Sequence, residues 1–351
     1  MMKVLIAGGG TGGHVYPLIP VANEFVKNGH SVFFVGRKNS IEEKIVSSYG
    51  FPLRYVSAYQ FNANFIDILK FIFYSIRGFF DGIYILRHER PDLILGGGGY
   101  VSLPVILSAI LLRIPIFLYE QNIIPGRTNQ IFSRFAKAIF LGFPDKNGYF
   151  KEKAVFTGNP VRKEVLMKPK EEALKFFDLK DKFTLLIFGG SGGALKLNET
   201  VSSIIPSLLK EDIQVVFITG SRFYGEFKDK IVDEKLRVYP YLNEMWHAYA
   251  IASLAITRGG ASTLAELVLN NVYSIVVPFP YARDNHQFEN ARYFESLGCV
   301  EVIEEKTLKQ DELFNKILYF KNNPRIINAG CSYPKDAEVR MVKEILRYMN
   351  G

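Results

Sequence analysis

Cysteine is almost absent from this chain, with only Cys299 and Cys331 among 351 residues. Neither belongs to a paired spacing, so the sequence offers no zinc or disulfide framework, and both are expected to be inert thiols in a reducing compartment. Asp-x-Asp occurs nowhere and the five histidines lack ligand spacing. No metal and no other cofactor is therefore expected. No Gly-Lys-Ser/Thr follows a glycine turn, which excludes a P-loop. The apolar run Val4 to Ala7 gives way to glycine too soon for an export signal. The longest apolar stretch, Val101 to Tyr119, is interrupted by Pro104, Arg113 and Pro115. A buried helix followed by a strand fits it better than a membrane span.

What is present in excess is positive charge. Lys and Arg number 43 against 35 Asp and Glu, a net of +8, which favours anionic partners such as phosphates or acidic lipid headgroups. No basic run or recognition signature accompanies the charge, so no nucleic acid partner is expected. The 48% apolar content and the length suit two buried cores. Short β-branched runs alternate with helical patterns: Val4 to Ala7, Ser31 to Val35, Leu93 to Leu95 and Ile116 to Tyr119. The charged segment from Lys168 to Lys182 interrupts them. They resume at Thr184 to Phe188, Gln214 to Thr219, Leu254 to Thr257 and Ser274 to Val277. Each set predicts a doubly wound parallel α/β sheet. The expected domains are residues 1–160 and 161–335, with a last helix at 336–351 packing back on the first.

Glycine-rich turns follow four of these strands. The first, Gly8-Gly9-Gly10-Thr11-Gly12-Gly13-His14, satisfies G-x-G-x-x-G between a strand and a helix expected near Tyr16-Pro17. Glycine lets backbone N–H groups approach a phosphate, and the helix N-terminus adds a favourable dipole. An NAD site would end the next strand on an acid. Val35-Gly36-Arg37 does not, although Arg37 leaves NADP open. The second turn, Gly189-Gly190-Ser191-Gly192-Gly193, adds a hydroxyl that can donate to phosphate. Gly96 to Tyr100 forms a third turn, and Arg258-Gly259-Gly260 a fourth ahead of Ala261, Ser262, Thr263 and Glu266. Glu266 either accepts from ribose hydroxyls or is merely a favourable first-turn acid, with Thr263 a cap. Turns at the carboxyl edges of two sheets predict an anionic nucleotide-sugar in a cleft between the halves.

Several motifs occur together in order: Gly9 to His14 with Pro17, Gly98 to Ser102, Glu120-Gln121-Asn122, Gly158 to Arg162, Gly189-Gly190-Ser191 with Asn198, Gly260 to Glu266, and Asp284 to Gln287 with Asn290-Ala291. The constellation spans almost the whole chain and resembles the GT-B glycosyltransferases of family 28. That resemblance implies two Rossmann-like domains facing a central cleft. It also implies transfer of N-acetylglucosamine from UDP-GlcNAc to the 4-hydroxyl of MurNAc in lipid I, giving lipid II for peptidoglycan. Glu266 would then take the ribose, Ser191 and Arg162 the diphosphate, and the backbone near Leu242 the uracil. Asn122 and Gln287 would read sugar hydroxyls. Thr11, Gly12, Gly13, Ala261, Ser262 and Thr263 would complete the donor set, and Gly10, Tyr100 and Asn198 the acceptor set. The turn at Ser191-Gly192-Gly193 and the residue Tyr119 depart slightly from the family's pattern.

An inverting displacement needs a base for the acceptor hydroxyl and a stabiliser for the departing diphosphate. His14 and Glu120 are the two candidate bases. The first glycine turn would serve the reacting centre and the acceptor's own diphosphate. Large apolar residues from Phe61 to Arg90, among them Phe65, Ile66, Leu69, Phe71, Ile72, Phe73, Phe79 and Phe80, are interspersed with Lys70, Arg77, Arg87 and Arg90. They either cover the sheet or lie on an anionic membrane surface, the latter implying a peripheral protein at its cytoplasmic face. A UDP-GlcNAc epimerase, an NADP-linked oxidoreductase and a non-catalytic nucleotide-sugar-binding subunit are the alternatives.

Overall fold

The computed structural model describes residues 1–61, 64–166, 169–190, 192–325, 327 and 331–350. The chain forms two compact units, Met1–Arg162 with Pro334–Gly351, and Lys163–Tyr333. In the first unit the strands are β1 (Lys3–Ala7), β2 (Ser31–Gly36), β3 (Leu53–Tyr55), β4 (Leu93–Gly96), β5 (Ile116–Glu120), β6 (Ala138–Leu141) and β7 (Ala154–Phe156). Its helices are α1 (Leu18–Lys27), α2 (Ile41–Ser48), α3 (Phe65–Glu89), α4 (Ser102–Leu112) and α5 (Arg127–Phe132). The strands pair in parallel in the order β3-β2-β1-β4-β5-β6-β7.

A parallel sheet covered on both faces reads as continuous apolar sequence rather than alternation. In β1, Val4 and Ile6 pack with Leu18, Val21 and Ala22 of α1, while Leu5 and Ala7 on the other face join Val105, Ile106 and Ala109 of α4. The chain's last helix belongs to this unit, where its Met341, Val342 and Ile345 enter the Val4 cluster.

The second unit contains α6 (Lys170–Phe177), which occupies the charged segment, and strands β8 (Thr184–Phe188), β9 (Gln214–Ile218), β10 (Leu236–Tyr239), β11 (Leu254–Thr257), β12 (Ser274–Val276) and β13 (Val300–Val302). Its remaining helices are α7 (Leu195–Lys210), α8 (Tyr224–Phe227), α9 (Met245–Ile251), α10 (Ala261–Leu269), α11 (His286–Ser296) and α12 (Gln310–Asn322). The C-terminal α13 (Ala337–Asn350) is the one already placed in the first unit. The second sheet runs β10-β9-β8-β11-β12-β13, again parallel.

Strand order reverses between β1 and β4 in one sheet and between β8 and β11 in the other. At such a switch point consecutive connections leave toward opposite faces and open a crevice at the carboxyl ends. The four glycine-rich turns are those that leave these four strands.

The fold corrects one expectation, bears out another and adds strands the sequence did not mark. Cys299 and Cys331 are bonded to each other, with Cα atoms 5.8 Å apart. Local spacing says nothing about a pairing across 32 residues, which the path of the chain from α11 through α12 brings about. The helix expected near Tyr16-Pro17 is found there: α1 begins at Leu18 with Pro17 as its N-cap, after a single 3-10 turn at Gly12–His14. Finally, β3, β7, β10 and β13, which end the two sheets, and β6 beside β7 are strands of three or four residues that composition did not distinguish from loop.

Candidate active site

The switch point of the first unit gathers several predicted site residues. Gly99 holds a left-handed φ of +76°, and a Cβ there would lie 2.1 Å from the Gly9 carbonyl oxygen. Only glycine allows the turns after β1 and β4 to touch in this way. Gly10, at φ +94°, lies against the Tyr100 ring, 2.7 Å from where its own Cβ would be. The structure therefore brings Gly10 and Tyr100 together. The Arg37 guanidinium sits 5.2 Å from the same ring's centroid, and burial pushes the Tyr100 phenol upward.

His14 closes the 3-10 turn, its backbone N–H donating to Thr11 at 3.1 Å. Its Nδ1 lies 3.0 Å from the Gly97 carbonyl oxygen after β4 and 3.0 Å from the Gln121 amide after β5. Ends of three adjacent strands thus hold one imidazole. Thr11 and Gly13 stand exposed beside it, with Gly12 half-buried.

Glu120 is enclosed, at 3% exposure. It accepts from the Asn122 N–H at 3.0 Å, the Gly126 N–H at 2.8 Å and Asn129 Nδ2 at 2.9 Å. Burial pushes its carboxyl above the ordinary range, while these donors act in the opposite sense. A carboxylate engaged in this way holds the loop from residue 120 to 126 and the Asn122 side chain, whose Nδ2 is 3.5 Å from Oε1. Arg162 stacks 4.6 Å from the Tyr16 centroid and donates to the Tyr49 hydroxyl at 2.9 Å.

In the second unit Gly260 occupies the N-cap of α10 and lends no side chain to its first-turn amides, where Ala261, Ser262 and Thr263 stand. The reading of Thr263 as a cap is thereby corrected, and so is that of Glu266 as a first-turn acid, because it is the sixth helical residue. The Tyr249 hydroxyl donates to Glu266 Oε2 at 2.8 Å. Gln287, at the start of α11, accepts from the Phe279 N–H at 3.0 Å. Leu242 is buried in the connection between β10 and α9. Asn198 is fully buried and donates to the Thr219 carbonyl at 2.8 Å. Ser191 lies outside the described residues. Among the described residues no group of three or more His, Cys, Asp or Glu could hold a metal ion.

The glycosyltransferase family 28 N-terminal domain model matches residues 4–141, and the family's C-terminal domain model matches residues 184–338. The chain belongs to glycosyltransferase family 28. Two curated relatives carry the name UDP-N-acetylglucosamine--N-acetylmuramyl-(pentapeptide) pyrophosphoryl-undecaprenol N-acetylglucosamine transferase. The Thermoanaerobacter sp. (strain X514) protein is 40% identical over 339 residues, 93% of each chain. The Clostridioides difficile (strain 630) protein is 40% identical over 369 residues, covering 100% of this chain and 90% of its own. The crystal structure of Acinetobacter baumannii MurG superposes with a TM-score of 0.76 at 24% identity, covering 99% of this chain and 100% of that one. The fold is GT-B, with two Rossmann-like parallel-sheet domains.

For a family 28 enzyme, the structure adds residues to which the sequence assigned no role. Glu42, 1% exposed on α2, accepts from the Gly10 N–H at 3.4 Å and the Arg37 N–H at 3.3 Å. One N–H of the first glycine turn, that of Gly10, is thus engaged by a side chain of the same unit. The Ser40-x-x-Glu43 capping box, in which the Ser40 hydroxyl accepts from the Glu43 N–H, marks where α2 begins. Nothing in that box signals that Glu42 reaches Gly10. Tyr249 had no sequence signal, and Gln121 stood inside a quoted motif with no role.

The helix α3 turns Gly78 and Gly82 toward Ser57 and Ser108. Its other side exposes Phe65, Ile66, Leu69, Ile72, Phe73, Ile76, Phe80 and Tyr84, together with Lys70, Arg77 and Arg87. These apolar side chains do not cover the sheet; Phe71 and Phe79, by contrast, are half-buried. No helix among the described residues is long and apolar enough to cross a membrane.

Proposed function

We propose that the chain is an inverting hexosyltransferase that moves N-acetylglucosamine from UDP-GlcNAc to the 4-hydroxyl of MurNAc in lipid I, giving lipid II for peptidoglycan. The substrates follow from the transferases to which it is 40% identical along its length. The chemistry rests on one observation, that the imidazole of His14 is held at a sheet switch point while the rival carboxylate Glu120 is enclosed among N–H donors.

In this reading the acceptor 4-hydroxyl attacks the anomeric carbon, its proton passes to His14, and the C1–O bond to the diphosphate breaks with UDP taking the electron pair. Glu266, steadied by Tyr249, takes the ribose hydroxyls, and the backbone near Leu242 takes the uracil. Ala261, Ser262 and Thr263 at the start of α10 face the diphosphate with Ser191 and Arg162, supplying dipole and charge in place of a metal. Asn122 and Gln287 offer amides to the sugar hydroxyls, and Thr11, Gly12 and Gly13 complete the donor set. Gly10, Tyr100 and Asn198 are assigned to the acceptor set, and Asn198 also fastens the turn at Thr219. The apolar and basic side of α3 rests on the anionic cytoplasmic surface of the membrane that carries the acceptor.

UDP release measured with UDP-GlcNAc and a short-chain lipid I analogue tests the reading. Release that requires both substrates and survives EDTA is expected. Conversion of UDP-GlcNAc to an isomer without acceptor would instead make the chain an epimerase. Binding of UDP-GlcNAc without turnover on any lipid acceptor would make it a binding subunit.

A further inference from the structure

A base that takes a proton through one ring nitrogen must carry its own hydrogen on the other. Nδ1 of His14 lies 3.0 Å from the Gly97 carbonyl oxygen and 3.0 Å from the Gln121 side-chain amide. A carbonyl oxygen can only accept, so Nδ1 within bonding distance of Gly97 must be the protonated nitrogen and the lone pair must lie on Nε2. Gln121 then has to present its oxygen to Nδ1 as well. Its Oε1 is buried with no partner among the described residues while Nε2 faces the ring, and a half-turn of the amide plane brings that oxygen onto the Nδ1 hydrogen. Gln121 is 6% exposed, so solvent competes little for this contact.

We propose that Gln121 and the Gly97 carbonyl are a positioning pair that keeps His14 in the Nδ1–H tautomer with Nε2 presented to the acceptor hydroxyl. The inference rests on His14 being the base. An amide in this place, rather than a carboxylate, stabilises the neutral ring without strongly favouring imidazolium, so the base stays deprotonated over a wider acid range. The Gly97 carbonyl is part of the β4 turn and cannot be lost by side-chain substitution, which makes Gln121 the adjustable member of the pair.

Four measurements on the whole chain test it. Nitrogen-15 spectra of the His14 ring should show a pyrrole-type Nδ1 and a pyridine-type Nε2 in the neutral form; the reverse assignment overturns the proposal without reference to activity. Gln121→Leu should lower kcat at least about tenfold with the donor KM unchanged. Gln121→Glu should retain turnover but move the acid limb of the kcat profile to higher pH, because the carboxylate favours imidazolium. In a His14→Ala background Gln121→Leu should cost nothing further; an added loss there would mark a general structural role and overturn the proposal. Wild-type kcat and acid limb in Gln121→Leu would overturn it too. Wild-type kcat in His14→Ala alone would remove the base assignment beneath it, so the two failures are distinguishable.

Discussion

The Tyr249 hydroxyl of α9 donates to Oε2 of Glu266 in α10 at 2.8 Å. One carboxylate oxygen is thereby fixed by a neighbouring helix, and the orientation of the other follows. If Glu266 accepts from ribose hydroxyls, Tyr249→Phe should raise the KM for UDP-GlcNAc about tenfold or more, the value of one charge-assisted bond of about 1.5 kcal/mol. The kcat should hold. Steady-state kinetics at saturating acceptor measure both, and a fall in kcat at constant KM would count against the ribose assignment.

Glu120→Gln turns one carboxylate oxygen into an NH2, which then meets either the Asn122 donors at Oε1 or the Gly126 and Asn129 donors at Oε2. Each unmatched buried donor costs about 1–3 kcal/mol, so the loop should loosen and turnover fall about tenfold. The acid limb of the pH profile should nonetheless remain, because the base is elsewhere; its disappearance would make Glu120 the base. Stability carries a second signature. Burial raises this carboxyl in the folded state. Its contribution to stability is therefore fullest below the ordinary carboxyl value and is lost as pH rises through the raised one. Urea unfolding of the variant across that window should lack this slope.

Gly99→Ala places a Cβ at a φ of +76° and 2.1 Å from the Gly9 carbonyl oxygen. The left-handed conformation alone costs about 1–2 kcal/mol for a residue with a Cβ, and the clash forces the two turns apart. A fall in the urea midpoint together with loss of turnover is expected. Normal activity would show that the turn contact does not matter to the site.

Ile76 and Phe80 on α3 are 56% and 63% exposed. Changing both to serine should leave stability within about 0.5 kcal/mol per site, since nothing in the core is altered. Sedimentation with anionic vesicles at low salt should drop at least about tenfold, given about 1.5–3 kcal/mol for each large apolar side chain buried. Unchanged vesicle binding would exclude this side of α3 as the attachment surface.

Much of the fold was legible because a parallel sheet buried on both faces writes itself as runs such as Val4 to Ala7 and Thr184 to Phe188, and because glycines mark each switch-point turn. The edge strands were not, since Leu53–Tyr55 and Val300–Val302 are short and mix apolar with charged residues. In the site, His14 and Glu266 stood out by type and position. Their supports did not. Tyr249 reaches Glu266 across 17 residues, Gln121 reaches His14 across 107, and Glu42 reaches Gly10 across 32. Such pairings are set by which strands are neighbours, and no local spacing encodes them. The bond between Cys299 and Cys331 escaped notice for the same reason.

The most direct test of the central claim is the separation of kcat and KM in UDP release from UDP-GlcNAc and a lipid I analogue, comparing His14→Ala with Glu266→Ala. His14→Ala should lower kcat about 10²-fold or more, as loss of a general base does, and leave the donor KM near wild type. Glu266→Ala should chiefly raise the donor KM. Near wild-type kcat in His14→Ala, or unchanged donor KM in Glu266→Ala, would contradict the division of labour proposed for the two switch points.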